Sequence, residues 1–152
     1  MKKNIINGAV IGLVILGLTE CSGASLDHEG QLAAVEGGYR AIQTIKNPDK
    51  EVQLAAVNKS YYAIQYIENP DKEVQLAAVE QSYHAIKYIK NPDIEAQLAA
   101  VKQSYQIIQD IKNPSVEVQL AAVNNSHYAI RYIKNPDIGV LKLARQRMLE
   151  GN

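Results

Sequence analysis

From Leu32 onward, apolar residues return on a fixed step. Leu32, Leu54, Leu76, Leu98 and Leu120 are 22 residues apart, each inside QLAAV, and Ile45, Ile67, Ile89, Ile111 and Ile133 keep the same step. Polar punctuation follows the same rhythm. Asn-Pro recurs at Asn47, Asn69, Asn91, Asn113 and Asn135 and accounts for all five prolines. Five units therefore fit between Asp27 and Pro136 without insertion or deletion. A fixed period of this length marks stacked supersecondary units, none of which can bury its apolar face alone.

The pattern inside a unit predicts two helices. Asn before Pro suits a helix cap followed by Pro at the first helical position, where no N–H is needed. Acidic residues follow at once, as in Asp49 and Glu51, where they complement the helix dipole. The run VQLAAV then supplies good helix formers, so the first helix is expected over 48–58. Ser60 is placed to cap a second helix over 61–68, in which Tyr61, Ile64 and Ile67 recur every third residue and give one apolar face. Lys46, Lys90, Lys112 and Lys134 stand in the last turn of that helix, where a cation is favoured. A strand reading fails, because no alternation of period two is present and Pro, Ala, Gln and Leu suit sheets poorly.

Neither helix is long enough to be stable alone in water. The first is apolar on most sides, so each unit needs its neighbours to cover it. The expected fold is all-α: a right-handed α-solenoid of five two-helix 22-residue repeats over residues 25–138. Residues 139–152 are expected to form a C-terminal capping helix, with Val140, Leu141, Leu143 and Leu149 covering the last unit and Lys142, Arg145, Arg147 and Glu150 facing water. The alanine pair of QLAAV is expected to let neighbouring helices approach closely.

The stretch EVQLAAV followed by YAIxYIxNP resembles short α-helical repeats, mostly of unknown function, found in tandem in bacterial, phage and giant-virus proteins. It is similar in logic to HEAT and leucine-rich-variant repeats, though shorter, and the likeness covers residues 27–138. The resemblance implies a helical interaction scaffold and brings no catalytic residue with it.

The N-terminal segment is patterned differently. Lys2 and Lys3 precede an uncharged, mostly apolar run from Ile5 to Thr19, and the small residues of CSGAS follow. That is the layout of a secretory signal peptide over 1–24. The run is shorter than the ~20 residues a bilayer span needs. LTEC, Leu18 to Cys21, resembles the lipobox of bacterial lipoproteins, with Glu20 in place of the usual small residue. That resemblance implies a signal ending at residue 20 and lipidation of Cys21. Three fates stay open on the sequence: simple cleavage, lipidation at Cys21, or retention as a membrane anchor. Each places the protein outside the cytoplasm or on a membrane.

Charge and composition narrow the function. The chain has 16 basic and 16 acidic residues, so its net charge offers no field that would recruit nucleic acid. Cys21 is the single cysteine, which excludes an intrachain disulfide. No Gly-rich phosphate loop is present, and the three histidines occupy different places in the repeat without metal-ligand spacing, so neither cofactor nor metal is expected. Recurrent polar residues read as architecture: Ser60, Ser82, Ser104 and Ser126 as caps, and Gln53, Gln75, Gln97 and Gln119 as a ladder between helices.

Specificity is expected where the units differ. At the second residue of the second helix they read Arg40, Tyr62, His84, Gln106 and Tyr128; four residues later, Thr44, Tyr66, Tyr88, Asp110 and Tyr132. In an α-helix these positions share a face, with Lys87 and Arg131 between them. The candidate binding residues are therefore Arg40, Tyr62, Tyr66, His84, Lys87, Tyr88, Tyr128, Arg131 and Tyr132. Nine tyrosines with no Phe and no Trp fit a contact surface, since a tyrosine offers a large rigid face with a polar tip. The same residues also fit a shield over the core edge. The sequence thus points to a non-enzymatic exported scaffold that binds another protein, with no nucleic acid and with membrane contact only through the N-terminus. A glycan- or cell-wall-binding module and a membrane-anchored structural lipoprotein are the alternatives.

Overall fold

The computed structural model describes residues 26–151; the expected signal peptide, Cys21 and its lipidation lie outside the described residues. Among the described residues six α-helices alternate with five short 3-10 helices: α1 (His28–Gly37), η1 (Tyr39–Thr44), α2 (Lys50–Lys59), η2 (Tyr61–Tyr66), α3 (Lys72–Gln81), η3 (Tyr83–Tyr88), α4 (Ile94–Gln103), η4 (Tyr105–Asp110), α5 (Val116–Asn125), η5 (His127–Tyr132) and α6 (Ile138–Glu150). There is no strand among the described residues. Each α-helix packs on the next α-helix, each 3-10 helix on the next 3-10 helix, and each 3-10 helix also on the α-helices of its own and the following unit. The result is an α-solenoid with an α row and a 3-10 row.

The second helix of every unit is 3-10 where an α-helix was expected. Ala63 N–H donates to Ser60 O at 2.9 Å, a bond repeated in every unit, and Ile67 N–H donates to Ile64 O at 3.2 Å, as do Ile45, Ile89 and Ile111 to their counterparts. A 3-10 helix has about 3.0 residues per turn. Tyr61, Ile64 and Ile67 therefore stack in one line, and Ile64 and Ile67 are buried. The period-three spacing of those residues is the period of this helix. Tyr and Ile are also weaker α-formers than Ala, Leu or Glu, so tertiary burial decides the conformation of this six-residue segment.

The cap of the α-helices also differs from expectation. It is not the Asn of Asn-Pro but the residue after the proline. Asp49 Oδ1 accepts from Val52 N–H at 3.0 Å, Asp71 Oδ1 from Val74 N–H at 3.3 Å, and Ser115 Oγ from Val118 N–H at 3.4 Å. Pro48 and its counterparts stand just outside the helix. Proline restricts the residue before it, and two of those residues, Asn47 and Asn113, adopt φ of 51° and 50°, a left-handed backbone that asparagine tolerates better than most residues. Asn-Pro is thus the corner between units, and Asp or Ser opens the helix.

One continuous core runs between the two rows. Its α side is Val52, Ala56 and Val57 and their equivalents; its 3-10 side is Ala63, Ile64 and Ile67 and theirs. The second alanine of QLAAV, as in Ala56, Ala78, Ala100 and Ala122, is fully buried, while Leu54 and Ala55 and their counterparts in the later units are half-buried at the rim. At the C-terminus α6 buries Val140 and Ala144 against the last unit and half-buries Leu143. Leu141 and Leu149, expected to cover that unit, are exposed, whereas Arg147, expected to face water, is half-buried and donates to Asn124 Oδ1 at 2.9 Å. Leu141 stands where the inner units carry the glutamine of QLAAV. No helix among the described residues is long and apolar enough to cross a membrane.

Candidate binding face

The glutamine of QLAAV stitches the units together. Gln75 Nε2 donates to Pro70 O at 2.8 Å, across its own corner, while its Oε1 accepts from Asp93 N–H of the next unit at 2.8 Å. Gln119 repeats both bonds, to Pro114 O at 3.0 Å and from Asp137 N–H at 3.1 Å. Both side chains are buried. Gln53 makes only the first of these bonds, to Pro48 O at 2.8 Å, and its buried Oε1 has no donor.

A second set of clips lies at the opposite corner, between the α-helix and the 3-10 helix of a unit. Gln81 Nε2 donates to Val57 O at 2.7 Å and Asn58 O at 3.0 Å, and Gln103 Nε2 to Val79 O at 2.7 Å. Asn125 Nδ2 reaches Val101 O at 3.2 Å and Lys102 O at 2.6 Å. Each amide satisfies carbonyls that the end of the preceding α-helix leaves open. The signal that could have found them is an amide at the same repeat position in three successive units.

Charged side chains join the first units. His28 Nδ1 lies 2.7 Å from Asp49 Oδ2 and its Nε2 lies 3.4 Å from Glu51 Oε2; Lys50 pairs with Glu73 at 2.6 Å and Lys72 with Asp93 at 3.3 Å. The hydrogen bond to Asp49 raises the His28 pKa above its ordinary value. The Asp49 carboxyl is held below its ordinary value, chiefly by the Val52 N–H and then by His28. From the fourth unit the same repeat position carries Ile94, Val116 and Ile138, all exposed.

The candidate binding residues lie on the 3-10 row, and their neighbours are not those an α-helix gives. In a 3-10 helix residues three apart align, so Tyr62 and Tyr66 do not share a face. Contacts form between units instead. The Tyr62 ring meets the Tyr88 ring edge-on at 5.7 Å. Gln106 Nε2 donates to Tyr132 Oη at 3.4 Å. The second position of one unit thus meets the sixth position of the next. Tyr62 also stacks on Tyr61 at 4.2 Å, and the hydrogen bond between them pushes the Tyr61 hydroxyl pKa up. Arg131 lies 5.2 Å over the Tyr128 ring, and Lys87 pairs with Asp110 at 3.2 Å. His84 is exposed and packs on Tyr83 at 4.2 Å.

Exposure sorts the candidates. Tyr62 and Tyr88 are each 40% exposed and Tyr128 is 47% exposed. Arg40, His84, Lys87 and Arg131 are also exposed, whereas Tyr66 and Tyr132 are half-buried against the core. The recurrent serines are used as caps: Ser60, Ser82 and Ser126 Oγ accept from the N–H two residues on, each at 3.4 Å. Among the described residues no group of three or more His, Cys, Asp or Glu is arranged to hold a metal ion.

Grooves run between consecutive Asn-Pro corners, on the same side. One of about 450 Å³ lies between the fourth and fifth corners, with Gln119 in its floor and Lys112, Lys134 and Tyr132 in its walls. Another of about 560 Å³ lies between the first two corners, lined by Lys46, Gln53, Tyr66 and Glu68. A smaller one of about 100 Å³ holds Glu68, Gln75 and Lys90. Comparison with protein-family models, with curated proteins and with solved structures finds no match to this chain.

Proposed function

We propose that this protein is a non-enzymatic, exported repeat scaffold that binds another protein through its 3-10 row. The observation that carries the reading is the exposure of Tyr62, Tyr88 and Tyr128 on that row, in positions that differ from unit to unit. The core needs none of these three rings, and a solvent-facing tyrosine is a rigid contact element with a polar tip. Ser60, Ser82 and Ser126 serve as caps and Gln75 and Gln119 as stitches between units, which supports an architectural rather than a catalytic reading of these recurrent positions. Export is the reading of the basic, apolar and small-residue N-terminus. A helical interaction scaffold is also what the resemblance to tandem repeats implies.

The test is capture by the full chain carrying a C-terminal tag, beside Tyr62→Ala/Tyr88→Ala/Tyr128→Ala. A protein retained by the wild type and lost by the variant, with circular dichroism unchanged, supports the scaffold reading. Equal recovery from both chains refutes it.

A further inference from the structure

The neutral net charge conceals a separation between the two rows. In the 3-10 helices and the corner residues that follow them, Lys46, Lys90, Lys112 and Lys134 stand at the corners and Arg40, Lys87 and Arg131 on the helices. Against these seven cations the same segments hold two carboxylates, Glu68 and Asp110. The α-helices themselves are nearly balanced, with eight carboxylates, among them the exposed ladder Glu29, Glu51, Glu73, Glu95 and Glu117 at a 22-residue step, against seven cations; the negative excess lies in their N-cap residues Asp27, Asp49, Asp71, Asp93 and Asp137. Asp110 is engaged by Lys87. The four corner lysines form no ion pair among the described residues, and all four line the grooves between corners. Glu68 is the single carboxylate in those groove walls.

We infer that the partner docks an acidic, extended polypeptide segment along these corners, with carboxylates at every third residue. This deepens the scaffold reading and rests on it. Packed helices are spaced by about 8–10 Å, and an extended chain in the polyproline II conformation advances about 3.1 Å per residue with three residues per turn, so three residues span one unit and every third side chain faces the same way. Carboxylates at i, i+3 and i+6 then meet Lys90, Lys112 and Lys134. The tyrosines in the groove walls, Tyr66 and Tyr132, give the intervening residues an apolar side to lie against. A nucleic acid fits this surface less well. Its charge is uniform along the strand, and it would meet Glu68 between Lys46 and Lys90, where a polypeptide can place a cation instead.

The test is fluorescence anisotropy on the full chain with three labelled probes of equal length: a Gly/Ser peptide with Glu at every third residue, the same composition with its Glu residues contiguous, and single-stranded oligo-dT. The spaced peptide is expected to bind most tightly. Lys112→Glu/Lys134→Glu should weaken it roughly tenfold, or about 1.4 kcal/mol, and raising salt toward 0.5 M should weaken it further. Glu95→Lys/Glu117→Lys, on the α row, should not weaken it. Both lysines are exposed and unpaired, so the charge-reversed chain should keep its wild-type melt. No peptide binding, an unchanged affinity after charge reversal, equal affinity for both peptides, or tighter binding of oligo-dT each overturns the inference. If the tyrosine-dependent capture above still holds, the acidic segment fails while the scaffold reading stands.

Discussion

Replacing the stitching glutamines by leucine tests how the units are held together. Gln75→Leu removes two hydrogen bonds of 2.8 Å and leaves Pro70 O and Asp93 N–H without their partner. A buried backbone group left unsatisfied costs about 1–3 kcal/mol. Burying leucine instead of an amide returns up to about 1–2 kcal/mol, so the net loss should be about 1–4 kcal/mol. Gln53→Leu removes one such bond and also an Oε1 that is buried without a donor. Deleting an unsatisfied acceptor is favourable, so this change should cost about 0–1.5 kcal/mol. Gln119→Leu should behave like Gln75→Leu, since it loses the same pair of bonds. Urea titrations followed by circular dichroism give the three midpoints, and an unchanged slope shows that the same surface is exposed in each. The order Gln53 < Gln75 ≈ Gln119 is the prediction. If Gln53→Leu proves as damaging as Gln75→Leu, the bond to the next unit carries no stability and the stitch is only geometry.

Three further outcomes follow from the packing, caps and charges. Ala78→Leu inserts a larger side chain at a fully buried position and should cost about 1–3 kcal/mol, whereas Ala77→Leu at the half-buried rim should cost less; thermal melts that rank them the other way contradict the packing described. Asp71→Ala removes a helix cap bonded to Val74 N–H and should cost about 1 kcal/mol, while Asp93→Ala, which removes no cap bond, should be milder in the same melts. His28 has a raised pKa because Asp49 bonds its charged form, with Glu51 adding to this; its contribution is therefore full below the ordinary histidine value of about 6.5 and is lost as pH rises through the raised folded value. Amide exchange in α1 should accelerate across that window and lose this dependence in His28→Gln. A wild-type exchange profile that stays flat after correction for intrinsic rates contradicts the ion pair.

The fold was legible because the chain states it repeatedly. One QLAAV would be a weak helix signal, but five at a fixed step require a stack, and the stack requires the two-row core. The 3-10 conformation was present as well, in the three-residue spacing of Tyr61, Ile64 and Ile67. Three-residue spacing also marks an α-helical face over two turns, and only the inter-unit packing separates the two. The cap was misplaced for a similar reason. Asn-Pro and Asp are adjacent, and both Asn and Asp cap helices; the choice between them depends on where proline sits relative to the first turn, which one residue of shift decides.

The binding face was legible in composition but not in arrangement. With an α-helix, the varying positions of one unit form a patch, and each unit carries its own letter of a code. With a 3-10 helix, Tyr62 meets Tyr88 and Gln106 meets Tyr132, so a surface element belongs to two neighbouring units. Changing one unit then alters two elements, and specificity is written at the junctions. Net charge misleads in the same way, since a sum over the chain cannot register that the 3-10 helices and their corners hold seven cations against two carboxylates. What the sequence lacked in both cases was the assignment of residues to rows. Once the 3-10 segment and its corner are known, the lysines at Lys46, Lys90, Lys112 and Lys134 cease to be helix-end charges: the helices end two residues before them, and what they face is a groove.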